Sequence, residues 1–216
     1  MNVKDKKIFK SDISFTDSAI YTKDLFPYYG IIGFCGKQGS GKSYSALTLI
    51  SRLNEMYNVR VISNIDIGIE HLKYNGIDSL FNYNYMADDT DGAIVFIDEM
   101  SDEFNNVKYK DFNTDWFLII NMLRKRHMLI IGTCPVFNRI QKAFREQFDF
   151  FVDCDNFILP LINRRLQIND IYIQRSVSMF DDSMFNFDFC KRQYLIHKKS
   201  IYNLYNSLEL VDRKEN

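Results

Sequence analysis

Along the chain, short apolar runs of strand length alternate with longer stretches whose apolar residues recur at helical spacing. Residues 29–35 form such a run, which turns sharply through glycines and continues at 43–53 as an amphipathic helix pattern. Residues 58–64 (NVRVISN) alternate as a strand does, and 69–86 form a weaker helical or irregular stretch broken at Gly76. After the acidic turn 88–92, the run 93–97 (AIVFI) predicts a buried strand. Residues 114–127 have helical spacing and finish in a basic turn, which suits a helix C-terminus. Strand-like runs at 128–133 and 148–153 flank a basic helix pattern at 138–147. From residue 156 the pattern changes, and 166–177, 184–190 and 192–197 read as short alternating strands with turn signals such as 180–183 (FDDS) between them.

Strands that alternate with helices predict an α/β core, a mostly parallel sheet of about five strands with helices on both faces. The expected organisation is a lead-in at 1–27, this core at 28–155, and a small antiparallel β appendage with a charged tail at 156–216.

Between the first strand and its helix, residues 36–43 (GKQGSGKS) fit G-x-x-x-x-G-K-[ST], the phosphate-binding P-loop. Gly36, Gly39 and Gly41 remove side-chain bulk, so successive backbone N–H groups can curl around the phosphates of a nucleotide at the positive end of the following helix. Lys42 supplies a cation for the same oxygens, and the Ser43 hydroxyl a hard ligand for Mg²⁺. The candidate nucleotide contacts are Gly36, Lys37, Gln38, Gly39, Ser40, Gly41, Lys42, Ser43 and Tyr44, with Lys37 open to reading as a plain surface lysine. The expected cofactors are ATP and Mg²⁺.

The run 93–97 ends in Asp98 and Glu99. Ligands of open α/β sheets sit at the C-terminal strand edge, so this strand delivers a carboxylate beside the P-loop. Asp98 is the candidate to hold Mg²⁺ through its water shell, the Walker B role. Glu99 is the candidate to accept a proton from the water that attacks the γ-phosphate.

Composition adds bounds. The 216 residues suffice for one sizeable core without disulfides. Cys35, Cys134, Cys154 and Cys190 are widely separated with no C-x-x-C, as expected of reduced thiols in a cytoplasmic setting, the host cytoplasm if the chain is viral. No run approaches the roughly 18 apolar residues of a membrane span, and the first ten residues lack a signal-peptide core, so a soluble protein is expected. A net charge of -1 gives no global electrostatic case for nucleic acid. Contact with DNA would fall to local basic groups: Lys108, Lys110, Arg164 with Arg165, Lys191 with Arg192, and Lys198 with Lys199. His71, His127 and His197 lack metal-ligand spacing.

These residues together resemble the zonula occludens toxin-like (Zot) P-loop ATPases of the FtsK-HerA branch. The likeness is carried by GKQGSGKS at 36–43, the strand ending in Ser63, Asn64 and Ile65, FIDE at 96–99, and Arg126-His127 before a strand ending in Thr133. Ile140 with Arg145, and Tyr205-Asn206-Ser207 near the end, add to it. The resemblance implies an extra strand between the P-loop and Walker B strands, ATP hydrolysis, and a homo-oligomeric ring that moves DNA without reading its sequence. It also implies an arginine from the neighbouring subunit, for which Arg124, Arg126 and then Arg145 are candidates, with Arg139 behind them. Where relatives carry a sensor glutamine this chain has Cys134, and Thr133 or Asn138 are its candidate substitutes.

Filamentous-phage members follow the ATPase domain with a membrane span that this sequence does not show, so the expected role is that of the genome-packaging type, with a capsid portal or vertex protein as partner. The alternative is phage assembly or extrusion through a separate membrane assembly protein. A small-molecule P-loop kinase is the alternative of another class, opposed by Glu99 and the added strand.

Overall fold

The structure is a computed structural model that describes residues 29–82, 92–105, 114–160, 164–174 and 187–205. Its strands are β1 (Gly30–Cys35), β2 (Arg60–Ser63), β3 (Leu72–Lys73), β4 (Ala93–Ile97), β5 (Met128–Cys134), β6 (Phe150–Leu159), β7 (Arg164–Gln174) and β8 (Phe187–Ile196). The helices are α1 (Lys42–Tyr57), α2 (Ile77–Asn82), α3 (Asp115–Met122), α4 (Lys142–Arg145) and α5 (Lys199–Tyr202).

All eight strands join one sheet in the order β3-β2-β4-β5-β1-β6-β7-β8. Pairing is parallel from β3 to β6 and antiparallel from β6 to β8. β5 lies between β1 and β4, pairing Gly30 with Leu129 on one side and Ala93 with Met128 on the other. This is the additional strand between the P-loop and Walker B strands. Every residue of β1, β4 and β5 is buried, as expected of parallel strands covered on both faces.

Alternate side chains feed two apolar layers. On one face, Ile32, Phe34, Phe96 and Ile131 pack with Leu47, Leu49 and Ile50 of α1, all fully buried. Each such side chain contributes about 1.5–3 kcal/mol by leaving water. On the other face, Val95 and Ile130 pack with Leu80, Trp116, Ile119 and Phe144 from the α2, α3 and α4 region. Asn58, at φ 48, stops α1 with its N–H on the Asn54 carbonyl at 2.9 Å, a left-handed cap that Asn tolerates.

Three elements differ from the sequence expectation. The helix pattern 138–147 is split into a 3-10 turn, Phe137–Arg139, and the single turn of α4. Between them the backbone turns aside to bond elsewhere: Ile140 bridges Asn105, and Gln141 N–H reaches the Phe104 carbonyl at 2.8 Å. Of the two strand patterns at 184–190 and 192–197, the described part forms the single strand β8, Phe187–Ile196. Ile171 pairs with Lys191 and Tyr172 with Phe189, so Cys190 is the extra residue of a bulge. Finally, β6 runs through residues 155 and 156 without a break, so β7 and β8 extend the central sheet itself. The expected lead-in 1–27, the turn 180–183, Lys108, Lys110 and residues 206–216 lie outside the described residues.

Candidate nucleotide-binding site

The P-loop connects the C-terminal end of β1 to α1, at the edge where the parallel strands end. Gly41 opens α1 in the left-handed region at φ 86. A Cβ there would lie 1.9 Å from Gln167 Oε1, so glycine is required both by conformation and by the close approach of β7. Gly36, at φ 144, is equally confined, its missing Cβ falling 2.5 Å from both the Cys154 carbonyl and Ser40 Oγ. Lys37, Gln38 and Gly39 are exposed at the loop crest. Lys42 Nζ donates to the Lys37 carbonyl at 3.2 Å, so the ammonium lies across the loop, where phosphate oxygens would be stronger acceptors. Ser40 Oγ is buried with no hydrogen-bond partner among the described residues.

The hairpin β7-β8 supports the loop from below through a buried polar network. Gln167 Nε2 donates to the Ser40 carbonyl at 2.9 Å and to Asn169 Oδ1 at 3.0 Å. Asn169 in turn accepts the Ser45 hydroxyl at 3.0 Å and donates to Gln193 Oε1 at 3.1 Å. Gln167 Oε1 accepts from His197 Nε2 at 3.0 Å, and the other ring nitrogen of His197 meets the Tyr202 hydroxyl. That pairing makes Nε2 the protonated nitrogen of a neutral ring. Burial, aided by the nearby Arg165 guanidinium, lowers the His197 pKa to about 4.

Tyr44 belongs to this layer. Its ring stacks on His197 with centroids 3.9 Å apart, and its hydroxyl accepts the Lys198 N–H at 2.9 Å. The structure therefore commits the Tyr44 side chain to holding α1 against the segment after β8, which leaves its backbone N–H as the group it can offer to a phosphate.

Asp98 follows β4 and meets the P-loop directly: Ser43 Oγ donates to Asp98 Oδ1 at 2.9 Å. Its main chain is clamped by Asn64, whose Oδ1 accepts the Asp98 N–H at 2.8 Å and whose Nδ2 donates to the Asp98 carbonyl at 2.9 Å. Thr133, at the end of β5, donates its hydroxyl to Asp98 Oδ1 at 2.8 Å and accepts the Glu99 N–H at 3.0 Å. Glu99 is in the left-handed region at φ 57, uncommon for a residue with a Cβ, and its Oε1 accepts the Ser101 hydroxyl at 2.7 Å. The Asp98 carboxylate is thus fixed beside the loop, and the Glu99 carboxylate is held by Ser101 one residue on from it.

The chemistry of Ser43 and Asp98 fits Mg²⁺, which prefers oxygen ligands and keeps waters, completing its octahedron with substrate phosphates. Among the described residues there is no cluster of three His, Cys, Asp or Glu side chains suited to holding a metal by itself.

Beside the loop lies a cavity of about 670 Å³, walled by Lys37, Ser40, Val136, Phe137, Phe151 and Tyr172. Its size and mixed walls suit a nucleoside. Asp153, which also lines it, has its pKa raised by burial and by neighbouring Asp170 and Asp155.

The remaining sequence candidates are dispersed. Arg124 and Arg126 precede the N-terminal end of β5, the edge opposite the P-loop, and about 20 Å of strand separates the two edges. Arg126 donates to the Leu80 carbonyl at 3.1 Å. Arg145 Nη1 donates to Asn138 Oδ1 at 2.5 Å, and Asn138 lines the cavity. At the sensor position, the Cys134 thiol is buried against Cys35, with sulfurs 2.7 Å apart. Arg164, Arg165, Lys198 and Lys199 are exposed, whereas Arg192 is held bidentate by Asp170 at 2.6 and 2.7 Å.

The loop, the paired carboxylates at the end of β4 and the inserted β5 define a P-loop NTPase fold. No protein-family model matches the chain, and no curated protein matches it in sequence. Among solved structures, the fold is shared with the N-terminal domain of zonular occludens toxin from Neisseria meningitidis. The match has a TM-score of 0.54 and 15% identity over 82% of this chain and 99% of that domain. The flagellar accessory protein FlaH from Methanocaldococcus jannaschii matches with TM-score 0.48 and 12% identity over 87% of this chain and 97% of that one. The genome packaging NTPase B204 from Sulfolobus turreted icosahedral virus 2, in complex with ATP-gammaS, matches with TM-score 0.47 and 13% identity over 62% and 78%. No helix among the described residues is long and apolar enough to cross a membrane.

Proposed function

We propose that this chain is a Mg²⁺-dependent ATP hydrolase that works as a homo-oligomeric ring to translocate DNA into a viral capsid. The observation that carries hydrolysis is the 2.9 Å contact between Ser43 Oγ and Asp98 Oδ1, which brings the two candidate metal-holding groups together with Glu99 one residue on. In this reading the P-loop amides and Lys42 bind the β- and γ-phosphates, and the nucleoside lies in the cavity beside Phe137 and Tyr172. Ser43 and Asp98 hold the metal, which supplies charge neutralisation on the phosphates when bound. Glu99 takes the proton of the attacking water.

Translocation and packaging rest on the resemblance of the sequence motifs to Zot-like ATPases. An arginine supplied by a neighbouring subunit completes the proposed site. Arg124 and Arg126, at the opposite sheet edge, are suited to act only in trans. The exposed Arg164, Arg165, Lys198 and Lys199 offer phosphate contacts that need no sequence reading.

The test is ATP turnover by the purified chain with and without double-stranded DNA, alongside its mass in solution. DNA-stimulated turnover in a ring-sized assembly is the expected result. Turnover that ignores DNA in a monomer would remove the motor and leave a simple nucleotide hydrolase. Stable capture of a membrane subunit in place of a capsid vertex protein would move the role to phage assembly.

A further inference from the structure

The second oxygen of the metal-site carboxylate is held by a residue from the far end of the chain. Asp98 Oδ1 accepts Ser43 and Thr133, while Asp98 Oδ2 accepts the hydroxyl of Tyr205 at 3.2 Å, 107 residues away. Tyr205 is delivered there by a fixed path. After α5, Leu204 N–H bonds the Ile201 carbonyl at 3.1 Å and Tyr205 N–H the Tyr202 carbonyl at 3.3 Å, so the segment stays turned. The Leu204 carbonyl then accepts the Gly68 N–H at 2.9 Å. Leu204 packs so closely that a Cβ on Gly68 would lie 3.0 Å from its side chain. The loop carrying Gly68 begins at Asn64, which clamps the Asp98 backbone. One loop therefore registers both Tyr205 and Asp98.

A carboxylate turns about its last single bond. Bonds to Oδ1 alone leave the plane of the group free to rock about that oxygen; a bond to Oδ2 fixes the plane. We infer that Tyr205 is a positioning residue of the metal site, whose phenol orients the Asp98 carboxylate so that Oδ1 faces Ser43 and the water shell of a divalent cation. The phenol is neutral, so it orients the carboxylate without cancelling its charge. Partners that hydrogen-bond a metal-binding carboxylate in this way typically change metal affinity about 10–100-fold when removed. The inference rests on the ATP-hydrolase reading for the presence of the metal.

Tyr205→Phe removes the hydroxyl and keeps the ring that packs on the α1 layer, so it isolates the bond from the packing. Binding of a fluorescent ATP analogue is measured in EDTA and again as Mn²⁺ is added, with bound Mn²⁺ counted by electron paramagnetic resonance and Tm recorded for both proteins. The expected result is unchanged Tm and unchanged metal-free nucleotide binding, with the Mn²⁺ concentration for half-occupancy raised about tenfold in the variant. An unchanged Mn²⁺ midpoint would overturn the inference while leaving the hydrolase reading intact. So would a loss of nucleotide binding of equal size with and without metal, which would make the hydroxyl a prop of the loop. A wild-type chain that binds no nucleotide in either condition would overturn the hydrolase reading and this inference with it.

Discussion

The side-chain amide of Gln167 donates to the carbonyl oxygen of Ser40 at 2.9 Å, 127 residues away in sequence. In a trans peptide the carbonyl and the following N–H point in opposite directions. Holding the Ser40 carbonyl toward the hairpin therefore turns the Gly41 N–H away from it, toward the side on which the P-loop receives its ligand. Gln167→Leu leaves that carbonyl buried without its partner, at a cost of about 1–3 kcal/mol. The expected outcome is nucleotide binding weakened by about tenfold, read by titration with a fluorescent analogue. Unchanged binding would mean that the loop holds its shape without the hairpin.

Thr133 ties Asp98 to Glu99 through one hydroxyl. Thr133→Val keeps the shape and deletes both bonds, leaving the Glu99 N–H unpaired beside a left-handed backbone. Hydrolysis is expected to fall about 10–100-fold, with stability lower by about 1–2 kcal/mol. Steady-state kinetics and thermal melting check the two parts.

His197 gives the fold a pH dependence of known sign. Its pKa is about 4 in the folded chain, lowered by burial and by the Arg165 charge, against about 6.5 when unfolded. The unfolded chain thus binds the extra proton between these values. The contribution is complete above pH 6.5 and is lost as pH falls toward 4. Denaturant melts should show wild type losing more stability across that window than His197→Gln, which has no such proton to take up. Equal slopes for the two proteins would contradict the buried neutral ring.

The P-loop and the Asp98-Glu99 pair were legible because their residues are contiguous and their backbone setting, strand then turn, is written in the local hydrophobic pattern. The strand β5 was legible through its apolar run, and its place between β1 and β4 only through the resemblance. Asn64, Thr133 and Tyr205 lay within motifs that resembled a family, yet their bonds to Asp98 span 34 to 107 residues, and no local pattern carries such a distance. Gln167, Asn169 and Gln193 were harder still. In alternating strands a polar residue reads as facing water, whereas here all three are buried, satisfied in large part by one another and by the P-loop. The antiparallel hairpin itself was legible from its alternating pattern, but not its pairing with β6 that carries these residues under the P-loop. The stacking of Tyr44 on His197, from the far end of the chain, carries no local signal either.

The most direct test of the account is ATP hydrolysis by wild type and Glu99→Gln, measured in parallel with nucleotide binding. Wild type is expected to hydrolyse ATP, and the variant to bind it with unchanged affinity while hydrolysis falls about 10²–10⁴-fold, the range for loss of a general base. A variant that hydrolyses at the wild-type rate, or a wild type that binds ATP and never cleaves it, would contradict the placement of catalysis at the end of β4.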